Sequence, residues 1–124
     1  MSNTSLFINL FKNKEATNFA AGQTVFKAGD PGDSMYIVTE GEVEILDGAT
    51  SLEVVGPGSI FGELALIDDE PRSATVVAKT DCRLVLVDRR RFEFMVSETP
   101  FFALAVMKVL ADRLRRTNAR IRAN

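Results

Sequence analysis

The sequence predicts a mainly β fold, an antiparallel sandwich or jelly roll flanked by helices, and three observations carry that prediction. Residues 19–88 divide into short segments rich in β-branched residues and punctuated by glycine. From Pro100 onward no residue breaks a helix, and apolar side chains recur in steps of three and four. The length, 124 residues, fits one domain and leaves little room for a second.

Taken in order, Leu6–Phe11 fits a short helix. Strands are expected near Thr24–Lys27, Met35–Thr39, Val43–Leu46, Leu52–Val55, Thr75–Ala78 and Arg83–Val87. The turn cluster AGDPGDS separates the first two, Glu40-Gly41 the next two, and GPGS closes the fourth. A single turn of helix is expected over Glu63–Ile67. Asp88 can cap a helix reaching Ser97, with Phe92, Met95 and Val96 on its apolar face. Thr99-Pro100 is a strong start for the last helix, because proline's missing N–H is no loss at the first position. Along that helix Ala103, Met107, Leu110, Leu114, Thr117 and Ile121 make a heptad seam. A seam of this length predicts a homodimer through residues 100–123; an amphipathic helix lying on its own domain is the other reading.

Composition narrows the functions. Hydrophobic residues make up 46% and charged residues 26%, ordinary for a globular protein. No apolar run approaches the roughly 18 residues that cross a bilayer, and the N-terminus lacks the pattern of a secretory signal. A cytoplasmic protein with no membrane partner is expected. The single cysteine, Cys82, excludes an internal disulfide and is expected to be buried in a strand. There is no histidine, which removes the usual metal ligand and the usual neutral-pH general base. Binding is therefore expected rather than catalysis, with no metal. Of the 15 basic residues, six fall in 108–124 beside the lone acid Asp112. They suit the negative end of the helix dipole; a basic arm for nucleic acid is the second reading. DNA binding is not expected.

The passage FGELALIDDEPRSATV, residues 61–76, calls for an explanation. Glu63 and Arg72 stand on either side of an acidic turn. The N-terminus of a short helix there would present the N–H groups of about Gly62, Glu63 and Leu64, which attract anions. Gly62 lets a ligand approach the backbone closely. Arg72 follows a proline-stiffened loop, and its fork suits the two free oxygens of a phosphodiester. Glu63 is a poor phosphate ligand and a good acceptor for sugar hydroxyls. On spacing alone two simpler readings stay open: Glu63 and Arg72 pair with each other, or Arg72 neutralises Asp68, Asp69 and Glu70.

The same passage resembles the phosphate-binding cassette of cyclic nucleotide-binding domains. AGDPGDSMYIVTEGEVEI resembles the family's earlier strand–turn–strand signature, with Gly29, Asp30, Tyr36, Gly41 and Val43 in place. The resemblance runs from about Phe19 to Ile121. It implies a double-stranded β-helix (jelly-roll) barrel over about 19–88, with a helical lid and dimer region over about 88–123. It also implies that Arg72 holds a cyclic phosphate, helped by the Ser73 hydroxyl and the Ala74 N–H. Glu63 would accept the ribose 2′-hydroxyl, Gly62 and Leu64 would offer backbone groups, and Ile45 and Leu52 would line the pocket. The stretch LADRLRRTNARI resembles the family's long helix, in which Thr117 and Asn118 would reach an adenine at the dimer interface; Asn118 departs from the serine found there in the bacterial activators. Cyclic AMP is favoured over cyclic GMP as ligand, with no further cofactor. A single-domain sensor is expected, with no DNA-binding, kinase or channel domain, acting on a protein partner in trans. The alternative is an interaction or dimerisation module that keeps the fold with an empty or altered pocket. Ligand closure would shift Leu64 and Leu66 against Phe92, Phe94, Phe101 or Phe102.

Overall fold

The computed structural model describes residues 3–11 and 14–123, with side chains described over 6–11 and 14–119. Along the chain, α1 (Asn3–Phe11) precedes β1 (Thr17–Phe19), β2 (Thr24–Phe26), β3 (Ser34–Glu40), β4 (Val43–Asp47), β5 (Thr50–Val55) and β6 (Ile60–Phe61). Then come α2 (Leu64–Asp68), β7 (Thr75–Ala78), β8 (Cys82–Asp88), α3 (Arg89–Glu98) and α4 (Pro100–Ala123). The strands form two four-stranded antiparallel sheets, ordered β1-β8-β3-β6 and β2-β7-β4-β5. This is the jelly roll with flanking helices that the sequence predicts. All six expected strands form, to within two residues at each end. β1 and β6 are additional, and each exists through its partner: Thr17–Phe19 pairs with β8, and Ile60–Phe61 pairs with β3.

Two apolar cores follow from the strand period of two. Between the sheets lie Val38, Val43, Val55, Phe61, Val76, Ala78, Cys82 and Leu84. On the outer face of the first sheet, Met35, Ile37, Val85 and Val87 meet Phe7 and Phe11 of α1, Leu66 of α2, and Phe102, Ala105 and Val106 of α4. β3 and β8 thus bury both faces along their middles, Ile37 outward and Val38 inward. Phe102 is fully buried and makes edge contacts with Phe7, Phe11 and Phe92, at centroid distances of 6.1, 6.0 and 5.5 Å. Cys82 is buried in β8, as expected, and burial pushes its thiol pKa up.

The C-terminal helices begin where the sequence signals them. The Asp88 side chain caps α3 by accepting from the Arg91 N–H at 2.8 Å. Thr99 serves both helices: its N–H donates to the Met95 carbonyl, and its own carbonyl accepts from the Phe102 N–H. α4 then departs from α3 at a bend of 114°. Of the seam, Ala103 and Leu110 are half-buried on the domain, whereas Met107, Leu114 and Thr117 are exposed. The side chain of Ile121 lies outside the described residues. Leu66 does pack in the core with Phe102, beside Phe92. Leu64, Phe94 and Phe101 do not join it and are exposed; Leu64 is left out because the five-residue α2 turns just one face, Ala65 and Leu66, to the core.

Candidate functional site

A cavity of about 580 Å³ opens between the second sheet, the α2 passage and α4. That size suits a nucleotide-sized ligand. Nine of the ten predicted site residues line it: Ile45, Leu52, Gly62, Glu63, Leu64, Arg72, Ser73, Ala74 and Thr117. Asn118 does not; it is exposed, one helical step from Thr117, and so projects away from this cavity.

Arg72 is placed by the earlier of the two sequence motifs. Its N–H donates to the Asp30 carbonyl and its carbonyl accepts from the Gly29 N–H, both at 2.8 Å. Its Nη2 donates to the Ser34 carbonyl at 2.7 Å, and Nη1 to the Gly62 carbonyl at 2.9 Å. The guanidinium carbon lies 4.0 Å from the centre of the Phe26 ring. The turn AGDPGDS and the cassette FGELALIDDEPRSATV are therefore one mechanical unit, in which the turn grips both the backbone and the head of Arg72. Two glycines make room for it. A Cβ at Gly32 would stand 2.6 Å from the Ala65 Cβ and 2.8 Å from Arg72 Nε. Gly62, at φ +80°, would bring a Cβ to 2.8 Å from Arg72 Nη1.

The result is a cation held largely out of water. Arg72 is 7% exposed, and burial lowers its pKa against the opposing influence of Tyr36, Asp33, Asp30 and Glu63. An arginine remains charged nonetheless. Its Nε–H is buried without a hydrogen-bond partner. Such a donor costs about 1–3 kcal/mol.

Neither simpler reading of Glu63 and Arg72 holds. Among the described residues no ion pair joins Arg72 to Glu63 or to the acidic turn, whose Asp69 pairs instead with Arg89. Glu63, 3% exposed, pairs with Arg113 from α4. Burial pushes the Glu63 carboxyl above its ordinary pKa, and Arg113 offsets part of that rise. Arg113 also donates from Nε to Glu53 at 2.8 Å and from Nη2 to the Ile60 carbonyl. Arg116 donates to the other oxygen of Glu53 at 2.6 Å. Burial raises the Glu53 pKa, but the two arginines outweigh it and hold the carboxyl below its usual range. Two of the C-terminal arginines thus bind α4 to β5 and to the cassette, a role that sequence reasoning did not assign. Phe26, Glu53, Arg113 and Arg116 are among the cavity residues it missed. Helical spacing carries a signal for Arg113, which shares a face with Leu110 and Thr117.

Among the described residues no group of His, Cys, Asp and Glu is arranged to hold a metal, and no single helix is long and apolar enough to cross a membrane.

The family model of the cyclic nucleotide-binding domain matches residues 16–99, from the start of the sheets to the end of α3. The chain belongs to the cyclic nucleotide-binding domain family. It is 38% identical over 114 residues to a CRP-like cAMP-activated global transcriptional regulator of Mycobacterium tuberculosis (strain CDC 1551 / Oshkosh), covering 88% of this chain and 51% of that protein. It is 42% identical over 85 residues to a cAMP-dependent protein kinase regulatory subunit of Aspergillus fumigatus (strain ATCC MYA-4609 / CBS 101355 / FGSC A1100 / Af293), covering 64% of this chain and 20% of that protein. Among solved structures it superposes on the catabolite activator protein of Thermus thermophilus with a TM-score of 0.80 at 27% identity, covering 95% of this chain and 58% of that one. The chain thus spans about half or less of the length of these curated relatives. All three are regulators or activators by name. As a cyclic nucleotide-binding domain, the chain combines the family's jelly roll with a cavity that joins one buried cation to one buried carboxylate.

Proposed function

We propose that this chain is a cyclic nucleotide sensor that binds cyclic AMP in preference to cyclic GMP and passes the binding event to α4. The observation that carries the reading is Arg72, a buried guanidinium lining the cavity with one N–H unsatisfied. A cyclic phosphate supplies one negative charge and two free oxygens, which match the charge and fork of that group. The Ser73 hydroxyl and Ala74 N–H add donors, and the Glu63 carboxylate accepts the ribose 2′-hydroxyl. Gly62 and Leu64 offer backbone groups, while Ile45 and Leu52 cover the apolar faces. Thr117, at the α4 wall, bonds the purine edge, where a hydroxyl can serve the adenine amino group or a ring nitrogen. The names of the mycobacterial and fungal relatives, cAMP-activated and cAMP-dependent, support the choice of purine.

α4 is the output element, because Arg113 ties it to Glu63 and Thr117 sets it over the base. A ligand that takes up Glu63 changes the partners of Arg113, and a few kcal/mol of preference suffices to shift the helix population. The exposed Met107 and Leu114 belong to the seam through which two copies pair in this reading, and a protein partner receives the signal in trans. No catalytic step is assigned. Calorimetric titration of nucleotide-stripped protein with cyclic AMP, and separately cyclic GMP, tests the proposal. Binding near one per chain, micromolar or tighter and stronger for cyclic AMP, is the expected result. No heat and no thermal shift with either nucleotide would leave an interaction module with an unused pocket.

A further inference from the structure

Glu53 lies outside the phosphate and ribose contacts, yet it lines the same cavity and holds two arginines of α4. A β-bulge puts it there. In the β4–β5 ladder Ile45 faces Glu53 but Leu46 faces Ser51, so the register steps across Leu52. Strict alternation would turn Leu52 and Glu53 to opposite faces; the bulge lets both line the cavity. A carboxylate is thereby added to an otherwise apolar stretch of wall.

What Glu53 does there follows from the three contacts of Arg113. The fork bonds Glu53 through Nε, Glu63 through Nη1 and the Ile60 carbonyl through Nη2. A planar guanidinium held at Nε cannot roll about its long axis, so the Glu53 bond fixes where Nη1 falls. Arg116, on the second oxygen of Glu53, keeps that carboxylate from turning. Arg113 bonds one oxygen of Glu63, and a carboxylate has about four lone-pair sites, so it keeps the capacity to accept a hydroxyl.

We propose that Glu53 is a positioning residue for sugar recognition: through Arg113 it holds the Glu63 carboxylate in the orientation that accepts the ribose 2′-hydroxyl. The proposal rests on the reading of the cavity as a cyclic nucleotide site. It makes selectivity for a ribonucleotide the property of a relay, Glu53 to Arg113 to Glu63, that begins on a strand outside the cassette. Removing the Glu53 charge frees the Arg113 fork and loosens Glu63, while the phosphate seat at Arg72 is left as it was.

The test titrates wild type and Glu53→Gln with cyclic AMP and with its 2′-deoxy analogue. Wild type is expected to prefer the ribose form. Glu53→Gln is expected to lose about 3- to 10-fold in affinity for cyclic AMP and less than about 2-fold for the deoxy analogue, the size of one hydrogen bond lost from one ligand only. A merely structural role for Glu53 would weaken both ligands alike. Equal losses, or none, overturn the relay while leaving the nucleotide site standing. A wild type that binds neither ligand overturns the site and the relay together. If Glu53→Gln does not fold, Glu53→Asp, which withdraws the carboxylate by one methylene, is read by the same ratio. Adding Arg113→Ala to Glu53→Gln should shrink the ribose preference no further; an additive loss would break the relay.

Discussion

Replacing Arg72 by lysine keeps the charge and removes the geometry, which makes it the most informative single change. The guanidinium reaches from the Gly62 carbonyl, 2.9 Å from Nη1, to the Ser34 carbonyl, 2.7 Å from Nη2, while lying 4.0 Å from the centre of the Phe26 ring. An ammonium cannot span both carbonyls and still meet a phosphate, and it loses the guanidinium's contact with the Phe26 ring. One charge-assisted hydrogen bond to the ligand is worth about 1.5–3 kcal/mol. Affinity for cyclic AMP should therefore fall roughly 10- to 100-fold. The ligand-free protein should suffer less, about 1–2 kcal/mol, because the substitution also removes a buried N–H that has no partner. Calorimetric titration reads the first quantity and urea unfolding of the ligand-free protein the second. If Arg72→Lys binds cyclic AMP within twofold of wild type, Arg72 does not hold the phosphate and the assignment of the site fails.

Other substitutions test other parts of the argument. Glu63→Ala should weaken cyclic AMP by roughly 10-fold but change the 2′-deoxy analogue little, since only the ribose form has the hydroxyl it accepts; parallel titrations compare the two. The pH dependence of stability should separate the two cavity carboxylates. Glu63 holds its proton more tightly folded than unfolded, so its contribution falls as pH rises from about 4.3 through its folded value; Glu53 is the reverse, stabilising above about 4.3 and losing that contribution as pH falls through its lower folded value. Relative to wild type, Glu63→Gln should then gain stability as pH rises above about 4.3, whereas Glu53→Gln should lose it as pH rises toward about 4.3 from below, as read by urea unfolding across both ranges. Leu114→Asp should yield monomers by sedimentation if the α4 seam joins two copies, with the fold intact because Leu114 is 62% exposed; Leu110 is the poorer probe, being half-buried against the core. Phe102→Ala should cost about 3–5 kcal/mol in thermal or urea unfolding, since it removes the ring against which α1 and α3 pack.

The strands that could be read from sequence are those long enough to show alternation and bounded by glycine turns. β1 and β6, of three and two residues, have no such pattern, because pairing with β8 and β3 creates them. Arg72 and Glu63 were legible because the passage between them is continuous and unusual, with a glycine, an acidic turn and a proline in fixed order. Glu53 was hidden for a definite reason: alternation in β5 assigns it to the face opposite Leu52, and only the bulge, which depends on β4, reverses that. Arg113 is legible as a neighbour of Leu110 and Thr117 on one helix face, but its partners Glu53 and Glu63 lie 60 and 50 residues away and meet it only in the fold. Burial of Arg72 depends on Ser34, Gly32 and Phe26, which sequence alone does not bring to it.

The contact of Phe7 with Phe102 also bears on how the protein is born. These rings come from opposite ends of the chain, and their centroids lie 6.1 Å apart in the same core. At about 5–20 residues per second, a ribosome making this chain delivers Phe102 roughly 5–20 s after Phe7. In that interval α1, nine residues long, is too short to hold itself helical, and its phenylalanines have no core to enter. β1 waits nearly as long for β8. The apolar side chains of α1 therefore stay without their core until the residues through Phe102 have been made.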